Sequence, residues 1–427
     1  MSLPIIIDKS TFQSLSFDEI LRLSYYYKHN ITPVLVMEIL GDLKKEAKEG
    51  KPPPQQRVID FATKLFPTNT IVNLHYSKLK MGELSGDPLP MDGRPTVGIH
   101  KVVQTPDGKK GWVAEESAEE RAIYNWRDGH FTEADHELSK LWRSSTTRED
   151  LLINLQKELK KNGAPVAAAD LAALDQLVSR SIDNPESQFE LLVEIVRSSG
   201  ISPVQGFQTI DDWHRAEKRL LKQFIPYNYH CLRVDMLFYL GLQTGLVGTR
   251  ATNKVDLEYL YYLPFCAIFT SNDHLHKDLA PLLINKNQRF ILGTDLKQDL
   301  KSINAHLLAL PEEERKSYKD RPPLIEDSLT FQLWQHYYSY PNNRSWNKAP
   351  SEAEKQMAIA KMKEFEKANK GEGVDFEKGE DGSFFTRMSY LSKTDPCFCG
   401  SGKKIIDCCI PEDEFERIAK QQANEKQ

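Results

Sequence analysis

The chain opens on an apolar run at residues 4–8 (PIIID) that ends in an acid, the pattern of a short strand buried on both faces. Residues 16–27 follow with apolar positions at helical spacing behind a Ser/Asp start signal. A second apolar run at 31–35 reads as a strand that feeds a helix opening near Glu38. Strand, helix, strand, helix within the first 45 residues predicts a parallel α/β sheet. After Gly50 and a proline cluster at 52–54 the pattern becomes mostly helical, with runs at 116–128, 131–143, 149–161, 167–181, 186–198 and 209–224. One hairpin interrupts it, 96–103 and 111–115 flanking Pro106-Asp107-Gly108.

From 229 the α/β pattern returns. Helices are predicted through Arg233, Asp235 and Leu240 and over 256–263, then a buried strand at 265–270 ending at Asn272-Asp273, and another strand at 289–293. Neither α/β piece has enough strands to cover both of its faces, so the two are expected to share one sheet. The organisation read from the pattern is a split α/β domain of residues 1–45 and 228–310 and a mostly helical insertion over 46–227. A helical extension and linker over 311–382 follow, with a charged helix from 351 to about 370, and a small C-terminal module fills 383–427.

Composition changes this picture little. With 427 residues, 40% of them hydrophobic and 27% charged, the chain has material for real cores and exceeds what one core usually holds. No apolar run approaches a membrane span and the N-terminus lacks a signal-peptide pattern, so a cytoplasmic protein without membrane contact is expected. The net charge of -5 means that any nucleic-acid contact must come from local basic patches. The basic run His214, Arg215, Lys218, Arg219 and Lys222, at helical spacing, could track phosphates, although a solvated helix face is the commoner cause of such a run. Cys231 and Cys266 sit in apolar runs and read as buried thiols.

The other four cysteines, Cys397, Cys399, Cys408 and Cys409, crowd one short segment around Gly400-Ser401-Gly402-Lys403-Lys404. Four thiolates suit tetrahedral Zn²⁺, glycines let the backbone wrap the ion, and a segment this short has no core of its own. Residues 396–409 resemble the SEC-C motif. The resemblance implies a zinc-binding module that docks proteins or ribosomes; Ile405 stands where that family often carries an aromatic residue.

Four acids attract attention by position. Asp8 closes the first strand, Glu38 opens a helix after the second, Asp256 begins a helix and Asp273 closes a later strand. In a parallel sheet the C-terminal strand ends lie along one edge, so acids there converge. A carboxylate cluster offers the oxygen ligands that Mg²⁺ or Mn²⁺ prefers, and such ions activate water and stabilise charge on phosphate. Taken singly, each acid also reads as a helix cap or a first-turn residue.

The ordered set PIIIDKSTF, TPVLVMEIL and NKVDLEYLYYLPFCAIFTSND resembles the PIN-domain family of nucleases over residues 1–45 and 228–300. What the resemblance implies is a PIN-like parallel sheet flanked by helices and a Mg²⁺- or Mn²⁺-dependent endoribonuclease, with RNA ahead of DNA as the expected substrate. Asp8, Glu38, Asp256 and Asp273 would be its metal-binding catalytic acids. Thr270, Ser271 and Asn272 would orient ligands or phosphate, and Asp235 could replace or supplement Asp256. The long insertion departs from compact members of that family. Two other functions fit the same residues: a noncatalytic interaction protein with an inactive scaffold, and a structure-specific DNA nuclease with the insertion as a clamp.

Overall fold

A computed structural model of the chain describes residues 2–341, apart from 48, 51, 66–68, 88, 105–109, 115 and 165, and beyond them only 356, 360, 374, 375 and 404. The cysteines of the expected zinc module lie outside the described residues, as do the charged helix expected over 351–370 apart from 356 and 360 and the linker after it apart from 374 and 375.

Five parallel strands form the central sheet: β1 (Leu3–Ile7), β2 (Tyr27–Ile31), β3 (Thr70–Val72), β6 (Ile268–Ser271) and β7 (Arg289–Leu292), in the order β3-β2-β1-β6-β7. Two further strands, β4 (Ile99–Gln104) and β5 (Lys110–Ala114), make the expected hairpin, and β8 (Val374–Asp375) runs beside β4. The protein is thus α/β, a five-stranded parallel sheet flanked by helices. β1 lies in the middle, paired with β2 on one side (Leu3 opposite Tyr27) and β6 on the other (Ile7 opposite Thr270). Leu3, Ile5, Ile6 and Ile7 are all buried, as a strand covered on both faces requires. The chain leaves β1 toward β2 and β3 and later returns on the other side as β6 and β7, so the topological switch point lies between β1 and β6.

The second strand differs from expectation. It is the polar-looking YKHNI of β2, while the apolar run expected to be a strand at 31–35 belongs largely to helix α3 (Pro33–Gly41). The reason is local: Thr32 accepts the Leu35 N–H as an N-cap and Pro33 fills the first helical position, where its fixed φ is favourable. Glu38 therefore sits in the body of α3 and does not open it.

Two short helices, α1 (Lys9–Ser14) and α2 (Phe17–Tyr26), join β1 to β2, and α4 (Pro54–Leu65) precedes β3. Strand β3 falls inside the stretch expected to be insertion; that stretch supplies one edge of the sheet. After α5 (Tyr76–Leu84) come α6 (Ala118–Arg127), α7 (Glu133–Thr146), α8 (Glu149–Asn162) and α9 (Leu171–Ile182). Val58, Phe61, Trp126, Leu174 and Val178 of these helices belong to the same core as the sheet, so this part does not stand apart as a lobe. A second, smaller core of Leu84, Leu192, Ile195, Trp213, Leu221 and Ile225 gathers α10 (Gln188–Ser198), α11 (Pro203–Arg215) and α12 (Leu221–Phe224). The helix expected over 209–224 is broken between α11 and α12, where Glu217 and Lys218 take positive φ, so the basic run does not form one face.

Helix α13 (Pro226–Thr244) crosses the core and ends at Gly245 in the left-handed conformation. Its first turn is capped from a distance: the buried Glu83 of α5 accepts the N–H groups of Tyr227 (2.9 Å) and Asn228 (2.8 Å) and the Asn228 amide (2.9 Å). Helices α14 (Asn253–Leu260), α15 (His274–Leu283) and α16 (Gly293–Ala309) frame β6 and β7, followed by α17 (Glu312–Lys316) and α18 (Leu329–Tyr338). Among the described residues no helix is long and apolar enough to cross a membrane. Cys231 and Cys266 are buried free thiols, both pushed up by burial.

Glu83 generates a stability test. Glu83→Ala leaves helix-start N–H groups buried without an acceptor and is expected to cost about 2–4 kcal/mol. Urea denaturation checks it, through a lowered midpoint at unchanged slope.

Candidate active site

The last ladder contact between the two central strands carries the site. The Asp8 N–H donates to the Thr270 carbonyl (3.2 Å), so β1 and β6 are still in register where the chain leaves both strands at the switch point. Asp8 is the N-cap of α1: its Oδ1 accepts the Thr11 N–H (3.0 Å) and its Oδ2 the Ser10 hydroxyl (2.6 Å). Asp273, just past β6, is the N-cap of α15, its Oδ1 accepting the Leu275 N–H (2.8 Å). The capping role that each acid allowed on its own is therefore real at both positions. Each cap occupies one carboxylate oxygen and leaves the other to face different partners.

Glu38 reaches the same edge from α3. Its Oε2 accepts the Tyr259 hydroxyl of α14 (2.6 Å). Asp256, in the first turn of α14, is salt-bridged by Arg250 (2.6 Å), and the same guanidinium nitrogen reaches the free Oδ2 of Asp273. The four acids form an electrostatic chain: Glu38 feels the charges of Asp256 and Asp8, and Asp256 feels that of Asp273. Burial, reinforced by those neighbours, lifts the Glu38 carboxyl from 4.5 to about 7 against the opposing Lys9 charge and the Tyr259 hydrogen bond. Burial and Asp273 likewise lift Asp256 to about 6, against His276 and Arg250. At Asp273 burial works in the raising direction too, but the Arg250 hydrogen bond, the charges of His276 and Arg250 and the Leu275 N–H together outweigh it, and the carboxyl lies below its usual range.

The surrounding polar groups fix these loops. Lys9 donates to the Glu38 carbonyl (2.6 Å) and to buried Asp42 (2.6 Å), which Lys45 also pairs, so Lys9 does not hydrogen-bond the Glu38 carboxylate. His276, fully buried, bridges the Asp256 carbonyl at Nε2 (2.6 Å) and the Ser271 hydroxyl at Nδ1 (2.8 Å); Nε2 must carry the proton, since a carbonyl only accepts. Ser271 Oγ also accepts the Asp273 N–H (2.9 Å). Asn272 Oδ1 takes the Thr294 N–H at the start of α16 (3.1 Å). There Gly293 is required, because a Cβ would collide with Thr11 Oγ1 and Asn272 Nδ2. Ser271 and Asn272 thus position the loop that carries Asp273. Among the described residues the buried Thr270 hydroxyl has no hydrogen-bond partner.

Asp235 lies elsewhere. It accepts the Tyr261 hydroxyl (2.5 Å), feels the charges of Lys80 and Lys254, and raises the neighbouring Glu258 carboxyl. Among the described residues no three His, Cys, Asp or Glu side chains stand at metal-holding spacing, so ligation at the sheet edge requires side chains to move. Arg250 is the cation that pairs two of the acids, Asp256 and Asp273. Sequence pattern gave no signal for it: it sits in a short irregular loop between α13 and α14, and only the fold brings it to the two aspartates. Comparison of the chain with protein-family models, curated proteins and solved structures gives no match.

The raised Glu38 carboxyl sets a pH dependence. A carboxyl raised on folding contributes stability that is fully present below its unfolded value and lost as pH climbs through the folded one, here from about 4.5 to about 7. Glu38→Gln, which keeps an oxygen for Tyr259, removes that loss. In metal-free protein its melting temperature relative to wild type is expected to rise from pH 5 to pH 8, checked by thermal melts across that range.

Proposed function

We propose that the protein is a divalent-metal-dependent endonuclease that hydrolyses phosphodiester bonds, RNA before DNA, at the edge where β1 and β6 end. The observation that carries this reading is the meeting of Asp8, Glu38, Asp256 and Asp273, from four separate elements, at the sheet's switch point. The donor chemistry fits Mg²⁺ or Mn²⁺: the side chains offer carboxylate oxygens, and their mutual repulsion is relieved by one half-exposed guanidinium. When bound, the ion would supply an activated water and charge stabilisation for the phosphate.

The chain's own residues do the rest. Asp8 and Asp273, anchored as caps, hold their oxygens in place; Asp256 is fixed through its carbonyl by His276. Glu38 is held in place by the Tyr259 hydroxyl. The preference for RNA rests on the PIN resemblance. The SEC-C-like segment with Cys397, Cys399, Cys408 and Cys409 is, in the same proposal, a Zn²⁺ module that docks a protein or ribosome in the cytoplasm.

A noncatalytic scaffold is the second reading, favoured by the double capping and by the Arg250 clamp. Activity separates the two. Purified protein incubated with single-stranded RNA and DNA in Mn²⁺, Mg²⁺ or EDTA should cleave RNA only with metal. Asp8→Asn and Asp273→Asn should each lower the rate by at least about 100-fold. Both variants should keep the fold, because Asn caps about as well as Asp. Absence of cleavage in every metal would favour the scaffold.

A further inference from the structure

Arg250 is placed unlike an ordinary surface arginine. Its side chain is 55% exposed, yet its guanidinium spans two acids that are only 13% and 10% exposed. Its Nε donates to Asn253 Oδ1 (3.2 Å), and Asn253 in turn donates to the Gly248 carbonyl (2.7 Å), which steadies the base of the loop while the head group lies across the acids. Lys9, the other cation near these acids, is taken up by Asp42 and the Glu38 carbonyl, and Arg250 is the side chain that pairs both Asp256 and Asp273. A guanidinium also matches a phosphate oxygen pair as well as it matches a carboxylate.

On the basis of the metal-site reading above, we propose that Arg250 is the phosphate-binding residue of this site, resting on Asp256 and Asp273 until a divalent ion takes those acids and frees it for the substrate. One residue then has two opposed effects. It competes with the metal, because both need the same two carboxylates, and it assists the substrate, because its freed charge faces the phosphodiester. Neither effect requires a backbone change: the long, half-exposed side chain turns about its own torsions, giving up its Nε contact to Asn253 along with the two acids, while the Asn253 amide stays on the Gly248 carbonyl and holds the loop.

Arg250→Gln separates these effects in the full-length protein. Mn²⁺ affinity, read by electron paramagnetic resonance of the free ion, should rise about tenfold, the scale expected when two partly exposed ion pairs no longer compete. At saturating Mn²⁺ the KM for a single-stranded RNA oligonucleotide should rise about tenfold, with kcat changed much less. Circular dichroism confirms that the variant is folded. Unchanged Mn²⁺ affinity, or an unchanged KM, overturns the inference while leaving the metal-site reading in place. If neither protein binds Mn²⁺, the metal-site reading itself falls and takes this inference with it.

Discussion

The parallel pairing of β1 with β6 is the constraint on which the site depends. It joins the first residues of the chain to a segment far along it and carries the register one step past the strands, through the Asp8 N–H and the Thr270 carbonyl. In an open α/β sheet the crevice outside the carboxyl ends of the strands opens at such a switch point. Asp8 and Asp273 follow those two strands, and Glu38 of α3 and Asp256 of α14 link them electrostatically, Glu38 feeling Asp8 and Asp256 and Asp256 feeling Asp273. A hydrophobic strand with buried Ile5, Ile6 and Ile7 thus fixes where negative charge collects.

Collecting charge there has an electrostatic cost, and the structure meets it by several means. Capping N–H groups stabilise Asp8 and Asp273, and the Tyr259 hydroxyl stabilises Glu38. Arg250 neutralises the pair on the α14 side. What is left uncompensated is visible in the carboxyls of Glu38 and Asp256, which stay above their ordinary range. Carboxylates in this condition favour either protonation or a cation, and a hard divalent ion answers both the charge and the oxygen donor set.

Much of this was legible in the sequence where the signal is local. The apolar run of β1 ending in Asp8, the strand ending at Asp273 and the return of α/β texture after the helical stretch follow from periodicity. The failures have physical reasons. β2 carries Lys28, His29 and Asn30, polar residues with places inside the fold; Asn30 donates to the Phe265 carbonyl (2.9 Å). The neighbouring apolar run looked like a strand because short apolar segments do not reveal their period, whereas the Thr32-Pro33 cap decided for helix. β3 has three residues, too few for a pattern, and its place at the sheet edge is a tertiary fact. Asp235 and Asp256 looked interchangeable in sequence, and the fold sends them to different surroundings. Arg250 had no pattern at all.

The central claim is that the four acids at the switch point form one cation site whose resident guanidinium gives way to a metal. Anomalous diffraction at the manganese edge from crystals of the protein grown with Mn²⁺ tests it most directly. The account predicts an anomalous peak among the carboxylates of Asp8, Glu38, Asp256 and Asp273, with Arg250 withdrawn from Asp256 and Asp273. No manganese at that edge, with Arg250 still clamped across the two aspartates, would contradict it.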